Sequence, residues 1–216
     1  MIKASNINPN AMTQNIMTIY SLATQNEIDQ GMSWYNVTNK MAQELADGYG
    51  TELVRTAALL SVLSVGVTWE RAVHDTILLL EDREYKPGTF GKQAKKAVKI
   101  LDENCEYPAN LYQYFGFKTF AFFKNIMKPY SKYENITIDR HASRVACGWW
   151  LKAEQATKYV NTKNKYDRVA FSYEAASSWV ARDMVGSQLQ AITWLTFKRL
   201  KGKEFLTQFV CLPVLY

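Results

Sequence analysis

The chain has 216 residues, of which 48% are hydrophobic and 13% aromatic, so it can build one packed core of ordinary domain size. This composition excludes an intrinsically disordered chain, and no apolar run reaches the ~18 residues that a membrane span needs. The net charge of +6 is unevenly distributed: residues 1–82 carry −5, residues 83–145 carry +6 and residues 146–216 carry +5. Two interpretations fit this asymmetry: a face that binds a polyanion, and solvated helix surfaces with an accidental bias in charge.

Helical periodicity runs through almost the whole sequence, and the predicted fold class is all-α. Residues 1–13 are predicted to be an irregular segment that precedes the first helix. Ser33, Thr68 and Asp139 are predicted helix N-caps, because short polar side chains accept hydrogen bonds from free backbone amides. The helix at 52–64 is apolar enough to be buried at the centre. Helices are predicted at residues 15–26, 34–46, 52–64, 69–81, 91–103, 118–127, 139–152, 166–182 and 187–200.

The cysteines and the start of the chain bear on the compartment. Three scattered cysteines, Cys105, Cys147 and Cys211, fit neither a disulfide framework nor a four-ligand metal cluster. The first eight residues hold no hydrophobic signal core. We therefore expect a cytoplasmic protein with no metal and no cofactor.

Three stretches follow one another in a specific order. Residues 60–69 form a buried helix that ends in Leu-Ser, followed by the small-residue turn Val-Gly-Val. Residues 91–101 form an amphipathic helix with four lysines facing out. Residues 114–119, Tyr-Phe-Gly-Phe-Lys-Thr, form a tight turn into a helix, and residues 138–145 then read Ile-Asp-Arg-His-Ala-Ser-Arg-Val.

This order resembles the helix-hairpin-helix DNA glycosylase superfamily of the endonuclease III type, over about residues 53–150. The chain is most similar to short, uncharacterised phage-type members without an iron–sulfur cluster. Asp139, His141 and Arg144 keep the family's spacing, whereas Tyr114 stands where the first hairpin glycine is expected. The resemblance implies one two-lobed helical domain over residues 1–216, with a hairpin lobe at about 50–140 and a terminal lobe of about 1–49 plus 141–216.

The resemblance implies two catalytic residues. Asp139 stands where the family places the carboxylate that stabilises positive charge on the sugar when an N-glycosidic bond breaks. The alternative for Asp139 is plain helix capping. Lys118 stands where lyase-competent members carry the lysine that attacks C1′ of the sugar. The alternative for Lys118 is a phosphate contact or a solvated helix start.

Further roles are implied for residues around the hairpin and the turn. The hairpin's backbone amides would grip one DNA phosphate without reading sequence. Small or aromatic residues would fill the gap left by an extruded base or stack on that base. The predicted DNA-binding residues are Gly116, Phe117, Thr119, Lys92, Lys95, Lys96 and Lys124; the predicted wedge or base-pocket residues are Val65, Gly66, Trp69 and Tyr112, with Gln188, Gln190 and Trp194 as further pocket residues; the predicted supporting residues are His141 and Arg144.

The resemblance implies a protein of a bacterial or phage-infected cell that binds double-stranded DNA and excises a damaged or modified base, with or without lyase activity. A second hypothesis is a catalytically inactive phage-type DNA-binding protein. A third is an enzyme that acts on hypermodified phage bases. A fourth, an all-α protein that binds other proteins, has no positive feature in the sequence. The target base and the oligomeric state stay open.

Overall fold

The structure is a computed structural model that describes residues 8–103, 108–131 and 135–201. Within these ranges the regular structure is entirely helical, which confirms the predicted all-α class. None of the helices in these ranges is long and apolar enough to cross a membrane. The helices are α1 (Pro9–Tyr20), α2 (Gln25–Gly48), α3 (Leu53–Leu63), α4 (Trp69–Glu81), α5 (Gly91–Asp102), a 3₁₀ helix (Pro108–Tyr114), α6 (Phe117–Met127), α7 (Arg140–Cys147), α8 (Ala153–Thr157), α9 (Lys163–Val180) and α10 (Gly186–Leu200).

The chain divides into two compact units. The first, called the terminal unit here, comprises residues 1–34 and 130–216, and the second, called the hairpin unit, comprises residues 35–129. The boundary falls inside α2, between Trp34 and Tyr35.

Helix α3 forms the centre of the hairpin unit, as its apolar sequence predicts. Nine of its eleven residues are buried. Helices α4, α5 and α6 all pack against it, as does the 3₁₀ helix. An apolar helix must be covered on every side to exclude water, and the helices that follow α3 in the chain supply this cover.

The terminal unit is built from α1, α7, α9 and α10, which pack against one another. The start of α2 is held to α10 by a close approach at Gly31, where a Cβ atom would lie 2.6 Å from the backbone nitrogen of Ile192. It is also held by an ion pair in which the Arg199 Nε lies 2.7 Å from Glu27 Oε1. Burial raises the pKa of Glu27, but the hydrogen bonds from Arg199 and Thr24 outweigh burial and bring the pKa below its ordinary value.

Several predicted boundaries are wrong. The first helix begins at Pro9 rather than residue 15, because Asn8 accepts a hydrogen bond from the Asn10 amide and proline suits the first helical turn. Ser33 lies inside α2, where its hydroxyl donates to the Asp29 carbonyl oxygen, so it caps nothing. Helix α7 ends at Cys147, before Gly148 at φ 132°, and not near residue 152. The cap at Thr68 is confirmed: its side chain accepts from the Arg71 amide.

Candidate functional site

Asp139 begins α7 in the terminal unit and caps it. One carboxylate oxygen, Oδ1, accepts hydrogen bonds from the backbone amides of His141 at 2.9 Å and Ala142 at 2.8 Å. The predicted capping role is therefore confirmed. Since these amides lie at the positive end of the helix dipole, they fix the carboxylate at one place on a half-exposed surface.

The second oxygen of Asp139 meets an aromatic cluster from elsewhere in the same unit. The Trp194 indole Nε1 donates to Asp139 Oδ2 at 3.1 Å. The Trp194 ring lies 5.7 Å from the Trp34 ring, centroid to centroid, and Lys198 Nζ lies 4.2 Å from the Trp194 centroid. We call Trp34, Trp194 and Lys198 the tryptophan cluster. It sets two partly exposed aromatic rings and one ammonium group beside the carboxylate.

The predicted supporting residues connect α7 to α10. Arg144 donates from Nη2 to the Trp149 carbonyl oxygen at 2.6 Å, and its guanidinium lies 5.0 Å from the Phe197 ring centroid. The His141 ring lies 5.8 Å from Phe197, and its buried Nδ1 has no hydrogen-bond partner among the described residues. Burial lowers the pKa of His141, against the opposing charge of Asp139. Both side chains thus pack against one aromatic ring of α10.

Gln188 and Gln190, predicted to line a pocket, belong to α10. Both side chains are buried, with exposed fractions of 8% and 5%. Gln188 accepts from the Val185 amide at the start of α10 and donates to the Met32 carbonyl oxygen at 3.3 Å. Its amide group therefore closes the helix start instead of facing a ligand.

The predicted hairpin, residues 114–119, lies in the other unit and leads from the 3₁₀ helix into α6. The Gly116 amide donates to Thr119 Oγ1 at 2.9 Å, so this amide is used within the hairpin. Lys96 is half-buried and donates from Nζ to the Tyr114 carbonyl oxygen at 2.6 Å. Burial and the neighbouring Lys92 lower the pKa of Lys96. The ammonium group of Lys96 therefore braces residues 114–119, and its part in a DNA-binding face stays a prediction.

Tyr114 occupies the first hairpin position without requiring glycine. Among the described non-glycine residues, only Tyr130 has a positive φ, so the Tyr114 backbone lies in a region that any residue adopts. The Tyr114 hydroxyl is hydrogen-bonded to a Glu103 carboxylate oxygen, and this bond raises the pKa of the phenol to about 12. Tyr114, which stands where the glycosylase pattern has a glycine, therefore ties residues 114–119 to the end of α5.

One face of the hairpin is aromatic and exposed. Phe117 begins α6 and is 43% exposed, and Tyr112 on the 3₁₀ helix is 47% exposed. The ring of Tyr112 lies 4.9 Å from Phe120, and Lys124 Nζ lies 4.7 Å from the Phe120 centroid. Lys118 lies in the first turn of α6 and is half-buried. Predicted DNA-binding and base-stacking residues thus come together at this face.

The turn after α3 is organised around Gly66, which has φ 79°. A Cβ at Gly66 would lie 2.3 Å from the Phe90 ring, and Thr89 donates from Oγ1 to the Val65 carbonyl oxygen at 2.7 Å. Phe90 itself is 65% exposed. Val65 and Gly66 are the predicted wedge residues, and the exposed ring of Phe90 lies against Gly66. The sequence signal that could have identified Phe90 is its place as an apolar residue between the Pro87-Gly88 turn and α5.

The loop that carries Phe90 is anchored by Asp75, whose side chain is fully buried. Its carboxylate accepts hydrogen bonds from Arg71 Nε at 2.8 Å, from the Tyr85 hydroxyl at 2.7 Å and from the Gly88 amide at 2.9 Å. A buried carboxylate with these three donors ties the loop, at Tyr85 and Gly88, to α4.

The remaining predicted residues of the hairpin unit divide into packed and exposed groups. Trp69 is the first residue of α4, and its ring packs edge-on against Phe122 at 5.8 Å, so it belongs in part to the core. Lys92 and Lys95 are exposed on α5. They keep their ammonium groups available to an anionic partner.

The described residues contain no group of three or more histidine, cysteine, aspartate or glutamate side chains that could hold a metal ion. Cys147 is buried, and burial raises the pKa of its thiol to about 12. Cys105 and Cys211 lie outside the described residues.

Residues 1–201 match a family of unknown function (DUF7178), and the chain belongs to this family. Comparison with curated proteins and with solved structures gives no match. The family assignment carries no activity with it, so the function is argued from the residues of the two units.

Proposed function

We propose that this chain is a DNA-binding protein of the helix-hairpin-helix glycosylase type, in which Asp139 stabilises the sugar cation formed when the N-glycosidic bond of a damaged or modified base breaks. The observation that carries the proposal is the setting of Asp139. A half-exposed carboxylate is fixed by two α7 amides and by the Trp194 indole, beside two partly exposed aromatic rings.

The hydrogen bonds of Asp139 favour an electrostatic role. Loss of the base leaves positive charge on C1′ and the ring oxygen, and a carboxylate already held in position lowers the energy of that state without reorganising. Three donors already use both oxygens, so accepting a proton from water would compete with them. The rings of the tryptophan cluster offer stacking faces for a base or a sugar.

The DNA-binding part of the proposal rests on the hairpin unit. Lys92 and Lys95 supply exposed charge, and Lys124 supplies charge next to the hairpin aromatics. Phe90 projects from the turn where an intercalating side chain would enter the gap left by an extruded base. In this proposal Phe90 takes the wedge role in place of Val65 and Gly66.

The second candidate is a catalytically inactive phage-type DNA-binding protein. Two observations favour it: the Gly116 amide is used by Thr119, and Tyr114 replaces the first hairpin glycine. A hairpin with fewer free amides grips a phosphate less tightly. An enzyme acting on hypermodified phage bases shares the chemistry of the first proposal and differs only in substrate.

The test measures base release and covalent trapping. The protein is incubated with duplexes that carry modified bases or an abasic site, with and without borohydride. If Lys118 is the lyase nucleophile, its amine adds to the C1′ aldehyde of the abasic site and loses water, and borohydride reduces the resulting imine to a stable adduct. We expect Asp139→Asn to lose base release and Lys118→Ala to lose the adduct.

The matched control is Trp194→Phe, which removes the indole donor to Asp139 and keeps a smaller aromatic ring beside Trp34 and Lys198. We expect it to keep DNA binding and to retain base release within about tenfold. Absence of product with wild-type protein on every substrate, together with intact and steeply salt-dependent DNA binding, would refute the catalytic proposal and support the second candidate.

A further inference from the structure

The exposed face of the hairpin consists of Tyr112, Phe117, Phe120, Lys124 and Lys128, and we call it the hairpin surface. Phe117, Phe120 and Lys124 follow the i, i+3, i+7 spacing that puts side chains on one face of a helix. Tyr112 joins them through its edge-on contact with Phe120. Lys128 follows the last turn of α6 and is exposed.

The opposite face of α6 fills the core of the unit. Thr119, Phe122, Phe123 and Ile126 are buried there, and α6 packs on α3. The exposed aromatics are therefore not needed to attach the helix. Phe117 and Tyr112 are 43% and 47% exposed, and both adjoin Phe120: Phe117 through its helical spacing and Tyr112 through its ring contact. Exposed aromatic side chains grouped in this way are typical of a surface that binds a partner.

The charge of this segment identifies the chemistry of the partner. Residues 108–131 contain three lysines and no aspartate or glutamate. Lys124 Nζ lies over the Phe120 ring at 4.7 Å, so a positive charge sits directly within the aromatic face. Alternating aromatic faces and ammonium groups match a ligand made of flat rings on a phosphate backbone.

We propose that the hairpin surface binds unpaired nucleotides of single-stranded DNA, with bases stacked on Tyr112 and Phe117 and phosphates contacting Lys124 and Lys128. A base within a duplex has both faces covered by its neighbours, so only an unpaired base offers a face to these rings. The inference rests on the proposed DNA binding but not on the chemistry at Asp139. It implies that the preferred DNA carries a single-stranded stretch, such as a gap or a bubble.

Fluorescence anisotropy tests the proposal with labelled oligothymidine of about 20 nucleotides, a duplex of the same length and an oligouridine. We expect Tyr112→Ala and Phe117→Ala each to weaken oligothymidine binding by about tenfold and duplex binding by less than about threefold. Tyr112→Phe keeps the stacking face and is expected to bind as wild type. Phe171→Ala, at a 67% exposed aromatic of α9, is the matched control and is expected to change nothing.

Lys124→Ala supplies a second measurement. We expect it to reduce the slope of log affinity against log salt by about 0.7 for oligothymidine, because it removes one phosphate contact. Circular dichroism of each variant checks that the helices are intact. Tyr112→Phe and the urea-unfolding free energy of each alanine variant separate loss of binding from loss of stability.

Four results would overturn the proposal. Two concern Tyr112→Ala and Phe117→Ala: both bind oligothymidine as tightly as wild type, or both lose the same affinity for the duplex as for the single strand. The third is that wild type binds oligouridine more than about tenfold more tightly than oligothymidine. The fourth is that wild type forms a dimer and only Tyr112→Ala and Phe117→Ala are monomeric. The last would put a second copy of the chain on the hairpin surface. Asp139→Asn is expected to bind oligothymidine normally, so failure of base release and failure of single-strand binding are separately visible.

Discussion

Replacing Asp139 perturbs three hydrogen bonds at once: those from the amides of His141 and Ala142 and the one from the Trp194 indole. Variants at position 139 separate the contribution of the helix cap from that of the indole. Asp139→Ala loses the helix cap, which contributes about 1 kcal/mol to stability, and the indole hydrogen bond to a carboxylate, which contributes about 1.5 kcal/mol at a partly exposed site. The expected cost is therefore about 2–3 kcal/mol. Asparagine caps a helix as well as aspartate, but it has one acceptor oxygen.

If the asparagine oxygen at position 139 serves the α7 amides, its NH₂ group faces the Trp194 indole N–H, donor against donor. Asp139→Asn is then expected to cost about 1–2 kcal/mol in wild-type background and less than about 0.5 kcal/mol in Trp194→Phe, where the indole donor is gone. The coupling between the two substitutions should therefore lie between about 0.5 and about 2 kcal/mol.

Urea unfolding followed by circular dichroism gives the free energy of unfolding for the four proteins of this double-mutant cycle. Tm values supply an independent ranking. If the two substitutions add to within about 0.4 kcal/mol, the indole does not hold the carboxylate, and the geometric reason for an electrostatic role of Asp139 is lost.

Two further predictions concern the terminal unit. Burial, opposed by Asp139, lowers the pKa of His141 below its usual value of about 6.5, so the stability that the neutral ring supplies is present above about pH 6.5 and falls as the pH decreases toward the folded-state pKa. Between about pH 7.5 and about pH 5.5 the Tm of wild type should fall more than that of His141→Gln; parallel curves would refute this. Gly31→Ala puts a Cβ 2.6 Å from the Ile192 backbone nitrogen and should cost about 1–3 kcal/mol by urea unfolding, whereas Gly48→Ala, with open space at its Cβ, should cost little or nothing.

The features that the sequence predicted correctly depend on neighbours in the chain. Helix α4 has the predicted bounds, and both Thr68 and Asp139 cap the helices that follow them. The central burial of α3 follows from its composition alone. Capping and apolar periodicity are local properties, because a cap reaches amides only two or three residues away and a helical face repeats every 3.6 residues.

The features that the sequence did not predict depend on residues far apart in the chain. Asp139 and Trp194 are 55 positions apart, and no local pattern pairs an indole with a carboxylate. Gly31 looks like a weak point within a helix, yet a Cβ at this position would clash with Ile192 of α10. Phe90 gains its position from a hydrogen bond between Thr89 and Val65, 24 residues away. Each of these contacts depends on how distant parts of the chain pack together. Such packing cannot be predicted from a local sequence pattern.

The proposed single-strand binding and the proposed base release at Asp139 fall in different units, whereas the proposed lyase residue, Lys118, lies in the hairpin unit. The hairpin surface and Phe90 belong to residues 35–129, whereas Asp139 and the tryptophan cluster belong to the terminal unit. A function in DNA binding alone requires only the first set, and base excision requires both. Substitutions at Tyr112 or Phe117 should therefore weaken binding without altering the rate of base release from bound DNA, and Asp139→Asn should do the reverse. Loss of both properties from one conservative substitution, in a protein that still folds, would contradict this division.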